Sequence, residues 1–476
     1  MSKESPIIVG LDIGTTKVAA IAGRKNEFGK LEILGFGRAD SSGVDHGMVV
    51  NIEQCIRSIQ GALENCLINN PKLSLKEVYV GIAGRHIKSL QTRGEHVRTN
   101  AEDMISKSDI EKLIQDQFKT FIPAGDQIID IIPQDFTIDG QGGILDAKGR
   151  TGVKIGANFH IITGDKNAIR NINRCVKDTD LEISDLVLQP LASAAAVMSA
   201  EELEAGVAIV DIGGGTTDLA VFYDGILKHT AVIPYAGVNI TMDIKNGLNV
   251  LKAQAEQLKV QFGNALANEA PNNEFITIPG IRGAAPREIS TKNLAHIIES
   301  RMEEILEYVV YHLRQIGLDK KLGGGIILTG GGSQLKHLKQ LTEYLTGYSA
   351  RLGHPNEHLA SGYDAELDKP IYATCIGLIL RGFDDYENSK MRFSSTTGNS
   401  VMASAPEKIE VKQATEIEES AIAAEFETPT TIYREPISDT LKRKFAIGKI
   451  FGNVKRGIFG LFEEVDDAEL DDSDFK

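Results

Sequence analysis

The chain carries the same pattern twice. Residues Ile7 to Gly23, IIVGLDIGTTKVAAIAG, and Gly206 to Gly225, GVAIVDIGGGTTDLAVFYDG, each give an apolar β-branched run, then Asp-Ile-Gly, threonines and a second apolar run. Strand-forming residues on either side of a glycine turn predict a β-hairpin. Two copies so widely spaced do not make a solenoid; they predict two like domains that face one another.

A hairpin tip built from small residues lets backbone N–H groups come close to an anion, because glycine puts no side chain in the way. Gly14, Thr15, Thr16 and Lys17 form the first tip, and Gly213, Gly214, Gly215, Thr216 and Thr217 the second. Threonine hydroxyls add donors, and Lys17 supplies a point charge for a terminal phosphate. Asp12 and Asp211 end the first strand of each hairpin, where a carboxylate can hold the water shell of Mg2+, an ion that sheds water reluctantly. One such tip alone is as readily a plain glycine turn; the matched pair favours phosphate. A third segment, LGGGIILTGGGSQL from Leu322 to Leu335, predicts a strand, a glycine turn and a helix start. Gly330, Gly331 and Gly332 could lie against an adenosine, with Ser333 as N-cap of the next helix. Alone it would be an ordinary strand-to-helix loop.

A chain of 476 residues is expected to hold roughly two to four domains. Its 42% hydrophobic and 25% charged residues match a globular protein rather than a disordered one. The net charge of -15 repels phosphate backbones, so nucleic acid is not an expected partner. Cys55, Cys66, Cys175 and Cys375 show neither metal spacing nor disulfide density, which fits a reducing cytoplasm. The N-terminus lacks the features of a signal peptide, and no apolar run is long enough to span a bilayer, so membrane contact is expected to be peripheral.

The expected organisation is α/β. A first lobe over 1–84 and 165–205 is interrupted by a polar inserted small subdomain at 85–164. The second lobe has its core at 206–240 and 306–365 and a small subdomain at 241–305, and a buried return helix follows at 366–385. From 386 to 440 the composition turns to Ser, Thr, Glu, Ala and Pro without a period, predicting a disordered linker.

Residues 441–462 are basic and apolar, and 463–476 form an acidic tail. At about 100° per residue, Ile447, Ile450, Phe451, Val454, Ile458, Leu461 and Phe462 share one helix face, with Lys442, Lys449 and Arg456 opposite. Such a helix suits an anionic lipid surface, where each basic residue contributes about 1 kcal/mol and each fully buried Phe or Ile roughly 1.5 to 3 kcal/mol. Gly448, Gly452, Gly457 and Gly460 weaken it in water, so folding on contact with lipid is expected. The competing reading is a helix that docks on protein.

In order along the chain, DIGTTK, LQPLASAAAV, DIGGGTTD, GIILTGGGSQL and ATCIGLIL resemble the five motifs of the actin/sugar-kinase/Hsp70 ATPase superfamily. The resemblance covers about residues 7 to 381. It implies a duplicated actin-like (ribonuclease H-like) two-lobed fold that clamps ATP and Mg2+, with Gln189 orienting the hydrolytic water and two hinge helices packed through Ala192, Ser193, Ala194 and Ala195. VYVGIAGRHIKS at Val78–Ser89, IIPQDFTIDGQ at Ile131–Gln141 and the C-terminal helix resemble, within it, the FtsA family of bacterial cell-division proteins. That likeness implies slow ATPase activity at most, self-assembly into a homopolymer on the inner membrane, and capture of the tubulin-like FtsZ by the small subdomain of the second lobe, with other division proteins as further partners. AEQLKVQFG at Ala255–Gly263 resembles the adenine-side helix, implying that Glu256 and Lys259 line the nucleotide; both are also ordinary solvated-helix residues. Arg85 and the glycine- and proline-rich loop 267–286 depart from the family pattern. A sugar kinase is the main rival, but it needs a carboxylate base at a substrate hydroxyl, and the sequence points to none. An Hsp70-like chaperone would need a β-rich peptide-binding domain, which does not follow.

Overall fold

The structure is a computed structural model that describes residues 5–280 and 285–396, with side chains up to residue 387. The first lobe opens with β1 (Ile8–Ile13), β2 (Lys17–Lys25) and β3 (Leu31–Asp40), a small hairpin of β4 (Val44–Asp45) and β5 (Met48–Val49), then α1 (Ile52–Leu67) and β6 (Glu77–Ile82). An insertion follows, comprising β7 (Lys88–Val97), α2 (Lys107–Gln117), β8 (Asp126–Ile138), β9 (Gln141–Ile144) and β10 (Lys154–Asp165). The lobe resumes with α3 (Lys166–Lys177), β11 (Glu182–Leu188) and α4 (Gln189–Val197).

The second lobe runs through α5 (Ala200–Ala205), β12 (Val207–Ile212), β13 (Thr217–Tyr223), β14 (Ile226–Ile233), α6 (Gly237–Leu248), α7 (Lys252–Phe262), β15 (Phe275–Ile278), β16 (Arg287–Ser290) and α8 (Thr291–Gln315). It ends with β17 (Gly325–Thr329), α9 (Leu338–Thr346) and β18 (Ala350–Leu352), and α10 (Ala373–Thr396) follows.

The duplication seen in the sequence is a duplication of topology. The first sheet has the order β11-β6-β1-β2-β3 and the second β14-β13-β12-β17-β18. In each, the hairpin is antiparallel to its third strand, while the two remaining strands run parallel to its first. The central strands β1 and β12 are almost continuously buried and, but for Asp12 and Asp211, apolar, because helices cover both faces of the sheet there. One core lies under α1 and α3 in the first lobe, and another under α6, α7 and α8 in the second.

A third core contains Ile21 of β2, Ile209 of β12, Ala194 of α4 and Ile376 of α10, so these two helices pack between the sheets. The helices approach so closely that a methyl group on Gly377 would lie 1.8 Å from the carbonyl oxygen of Ala192; only glycine fits. Small residues on both helices therefore put the chain's two crossings between lobes in direct backbone contact.

The insertion has its own sheet, β7-β10-β8-β9, and its own core of Leu113, Phe136, Phe159 and Ile161. Its two longest strands, β8 with 13 residues and β10 with 12, are carried by alternating rather than continuous apolar residues. In the second lobe α6 and α7 are separated by the left-handed Asn249 (φ 49°), which ends α6. α10 continues to Thr396, into the stretch where a linker was expected from 386. The rest of that linker, the amphipathic helix 441–462 with its ten named residues, and the acidic tail lie outside the described residues. Among the described residues no helix is long and apolar enough to cross a membrane.

Candidate functional site

The two glycine-threonine turns have the same geometry. In the first, Asp12 pairs with Ala19 and Ile13 with Val18, and Gly14 N donates to Lys17 O across 2.9 Å. In the second, Asp211 pairs with Asp218 and Ile212 with Thr217, and Gly213 N donates to Thr216 O across 2.9 Å. The strand register therefore matches Thr15 and Thr16 with Gly214 and Gly215, and Lys17 with Thr216. The turns meet across the lobes. A methyl group on Gly214 would lie 2.6 Å from Thr16 Cγ2, and one on Gly215 would lie 2.5 Å from Thr15 Oγ1.

Beneath the turns sit three buried carboxylates and one buried amine: Asp12, Asp211, Asp218 and Lys17 are 5%, 7%, 3% and 8% exposed. Lys17 Nζ donates to Asp12 Oδ2 at 2.6 Å, and Gln189 Nε2, at the start of α4, donates to Asp12 Oδ1 at 3.0 Å. Asp211 is held from both crossing helices, by Ser193 Oγ at 2.6 Å and Thr374 Oγ1 at 3.3 Å, and these two hydroxyls are 2.9 Å apart. Asp218 Oδ2 accepts from Thr216 Oγ1 at 2.9 Å, while its buried Oδ1 has no partner.

Burial pushes the Asp211 carboxyl above its ordinary range, with the Asp12 charge adding to the effect. Burial and the Asp211 charge push Asp218 up to about 8. A single lysine does not compensate three carboxylates in a low-dielectric site, so the centre is chemically suited to a cation. The unpartnered Asp218 Oδ1 fits such an ion. Among the described residues no three His, Cys, Asp or Glu side chains are grouped to ligate a metal directly.

On the second-lobe side, the N-terminus of α6 is stitched to the turn: Gly237 N donates to Gly213 O at 3.1 Å, and Val238 N to Gly214 O at 2.7 Å. Lys259 Nζ on α7 donates to Gly237 O at 3.0 Å, Thr241 Oγ1 at 2.9 Å and Glu256 Oε2 at 2.8 Å. Glu256 also accepts from Thr241 Oγ1. Gly330, at φ 80°, lies so near Asp211 that a methyl group there would come within 2.3 Å of Oδ1. Gly331, Gly332 and Ser333 form the 3-10 turn after it. Ala265 N donates to Lys336 O at 2.8 Å, tying this loop to the segment after α7.

Two sequence expectations need correction. Ser333 is not the N-cap of the next helix: its Oγ donates to Gly330 O at 2.8 Å inside the turn, and α9 starts at Leu338 with His337 in the capping position. Thr217 is not free for a phosphate, since it is fully buried in β13 and donates its hydroxyl to Tyr235 O at 2.8 Å. Matching the threonine pairs by sequence misplaces it by two positions, since the register sets Thr217 against Val18 and not Thr16. Thr15 and Thr16 are the more accessible hydroxyls, and Thr15 Oγ1 also accepts from Gly47 N at 3.2 Å.

Asp218, Thr374 and the bonding role of Ser193 escaped the sequence reading. Each had a signal: the aspartate closing DIGGGTTD, and a hydroxyl residue in each of the otherwise apolar stretches LQPLASAAAV and ATCIGLIL.

Residues 208–377 match the family model described as "Cell division protein FtsA", and residues 84–163 match the "SHS2 domain inserted in FTSA". The chain is 38% identical over 400 residues to the cell division protein FtsA of Pseudomonas aeruginosa, covering 84% of this chain and 94% of that one. The chain belongs to the FtsA family of cell division proteins. Its likeness to the FtsA of Escherichia coli K12 is 32% over 391 residues (81% and 92% covered) and to that of Bacillus subtilis 35% over 375 residues (78% and 82% covered). Among solved structures, a PilM-PilN type IV pilus biogenesis complex superposes with TM-score 0.58 at 16% identity, covering 79% of this chain and 98% of that one. MreB 5 of Spiroplasma citri, crystallised with AMPPNP, superposes with TM-score 0.50 at 15% identity (82% and 100% covered). These structures share the actin-like fold. The protein is thus an actin-like cell-division protein with an SHS2 insertion.

Proposed function

We propose that this FtsA-family protein binds Mg-ATP between the two turns, polymerises with its own kind on the cytoplasmic face of the bacterial inner membrane at the division site, and tethers FtsZ filaments there. The observation that carries the nucleotide part is the direct contact of Thr16 with Gly214 above the Asp12, Asp211 and Asp218 carboxylates. Backbone N–H groups of the two turns, with Gly14, Thr15, Thr16, Gly213, Gly214, Gly215 and Thr216, receive the phosphates, and Lys17 neutralises the terminal one. Asp12 and Asp211 hold the hydrated metal, which would supply positive charge to the phosphate oxygens. Gln189, already bonded to Asp12, orients the attacking water in slow hydrolysis. Lys259, Glu256 and Gly330 to Ser333 border the adenosine.

Tethering to FtsZ is assigned to the small subdomain at 241–305, and lipid anchoring to the 441–462 segment, through Ile447, Ile450, Phe451, Val454, Ile458, Leu461 and Phe462 with Lys442, Lys449 and Arg456 facing the headgroups. Electron microscopy of the full chain on anionic lipid monolayers tests this. Filaments are expected with ATP and are lost in a Phe451→Glu, Ile458→Glu variant, whereas rapid phosphorylation of a sugar without filaments would favour a kinase.

A further inference from the structure

The insertion leaves the first lobe after β6 and returns to it at α3, yet its sheet docks on the second lobe. The residues whose side chains face its own core, Leu90 of β7 and Phe159 and Ile161 of β10, alternate with Ser89, Gln91 and His160. His160 pairs with Gln91 across the β7–β10 ladder, and Gln134 on β8 follows Pro133, the partner of Phe159. These four polar side chains meet β14, the edge strand of the second sheet.

Gln134 Nε2 donates to Leu227 O at 2.6 Å and Gln91 Nε2 to Lys228 O at 3.3 Å, while Ser89 Oγ donates to Thr230 O at 3.3 Å. His160 Nε2 lies 2.8 Å from Thr230 Oγ1 in a buried contact. The β13–β14 register slips between His229 and Leu227, leaving Lys228 as the extra residue. A bulge of this kind turns successive backbone groups toward a neighbour. An edge strand that would otherwise present open carbonyls is thus occupied by the insertion.

This docking has a mechanical consequence. Besides α4 and α10, it is a further bridge between the lobes, and β14 is hydrogen-bonded to β13, which carries Thr217 and Asp218 at the turn. A hinge about the Gly377–Ala192 crossing that separated Thr16 from Gly214 would also draw β14 away from β7, β8 and β10, unless the insertion swung with it. We propose that the insertion is a strap: seated on β14 it holds the phosphate turns together, and its release opens the cleft for nucleotide exchange. The strap rests on the nucleotide reading of the cleft.

Dissociation of a fluorescent ATP analogue with Mg2+ from the full chain tests it. Gln134→Leu removes a donor from a buried carbonyl and is expected to speed dissociation about tenfold. A Gln91→Cys, Lys228→Cys pair joined by a short bismaleimide, with the link verified by mass spectrometry, is expected to slow it about tenfold. Asp116→Ala, on exposed α2, leaves the rate unchanged. If Gln134→Leu does not fold, the crosslinked arm decides. Unaltered dissociation in the crosslinked protein, with the analogue bound normally, would overturn the strap alone. Failure of the unmodified protein to bind the analogue would overturn the cleft reading and the strap together.

Discussion

Gln189 donates its side-chain amide to Asp12 across 3.0 Å, although 177 residues separate them in the chain. The bond joins the first residue of a crossing helix to the carboxylate at the end of the first turn's strand, and so holds the side chain beside that turn. Replacement by Leu is expected to lower single-turnover ATP hydrolysis at least about tenfold while leaving Mg-ATP affinity within about threefold, the pattern of a group that acts in the transition state. Quench-flow and equilibrium binding on the same preparation separate the two effects.

Asp218 combines near-complete burial with an unpartnered oxygen and a carboxyl pushed up to about 8. A group raised in the folded state adds stability below its unfolded value and loses it as pH rises through the folded value. At neutral pH it is therefore a cost to the ligand-free protein. Asp218→Asn is expected to raise Tm without nucleotide by about 2–4 °C, and to weaken Mg-ATP binding. Calorimetric melting with and without Mg-ATP reads both, and a lower Tm in the ligand-free variant would contradict this account.

His160 sits where the insertion meets β14, and burial pushes its imidazole down to about 4. The unfolded chain takes up a proton near pH 6.5 that the folded protein refuses until about 4, so stability is complete above 6.5 and is lost as pH falls toward 4. Between pH 7.5 and 5 this amounts to about 2 kcal/mol. Half-buried His229, also held near 4 by desolvation, acts in the same direction. Urea unfolding at the two pH values, in the native chain and in His160→Asn, is expected to show a smaller acid loss in the variant.

Much of this was legible in the sequence because the information was local. A β-branched run, Asp-Ile-Gly and a second run specify a hairpin without help from elsewhere, and a second copy implies a partner for the first. Ser193, Thr374 and Asp218 were harder, since a lone hydroxyl in an apolar helix is usually inert and only tertiary packing brings these residues to Asp211. Thr217 was misassigned because Thr-Thr identity is visible in sequence while strand register is not. The alternation along β7 and β10 marks a polar face but not what covers it, because the seating of Gln134 and His160 on β14 joins surfaces of two separately folded sheets. The long α10 ran past its expected end because a polar composition does not by itself stop a helix that starts in a packed core.

The central claim is that the two turns together bind one Mg-ATP, and isothermal titration of the full chain tests it most directly. The native protein is expected to bind a single Mg-ATP, with Asp12→Ala and Asp211→Ala each weakening binding by at least about a hundredfold, in line with removal of a buried charged partner. Unchanged affinity in either variant would mean that the nucleotide lies elsewhere or that the cleft does not bind it.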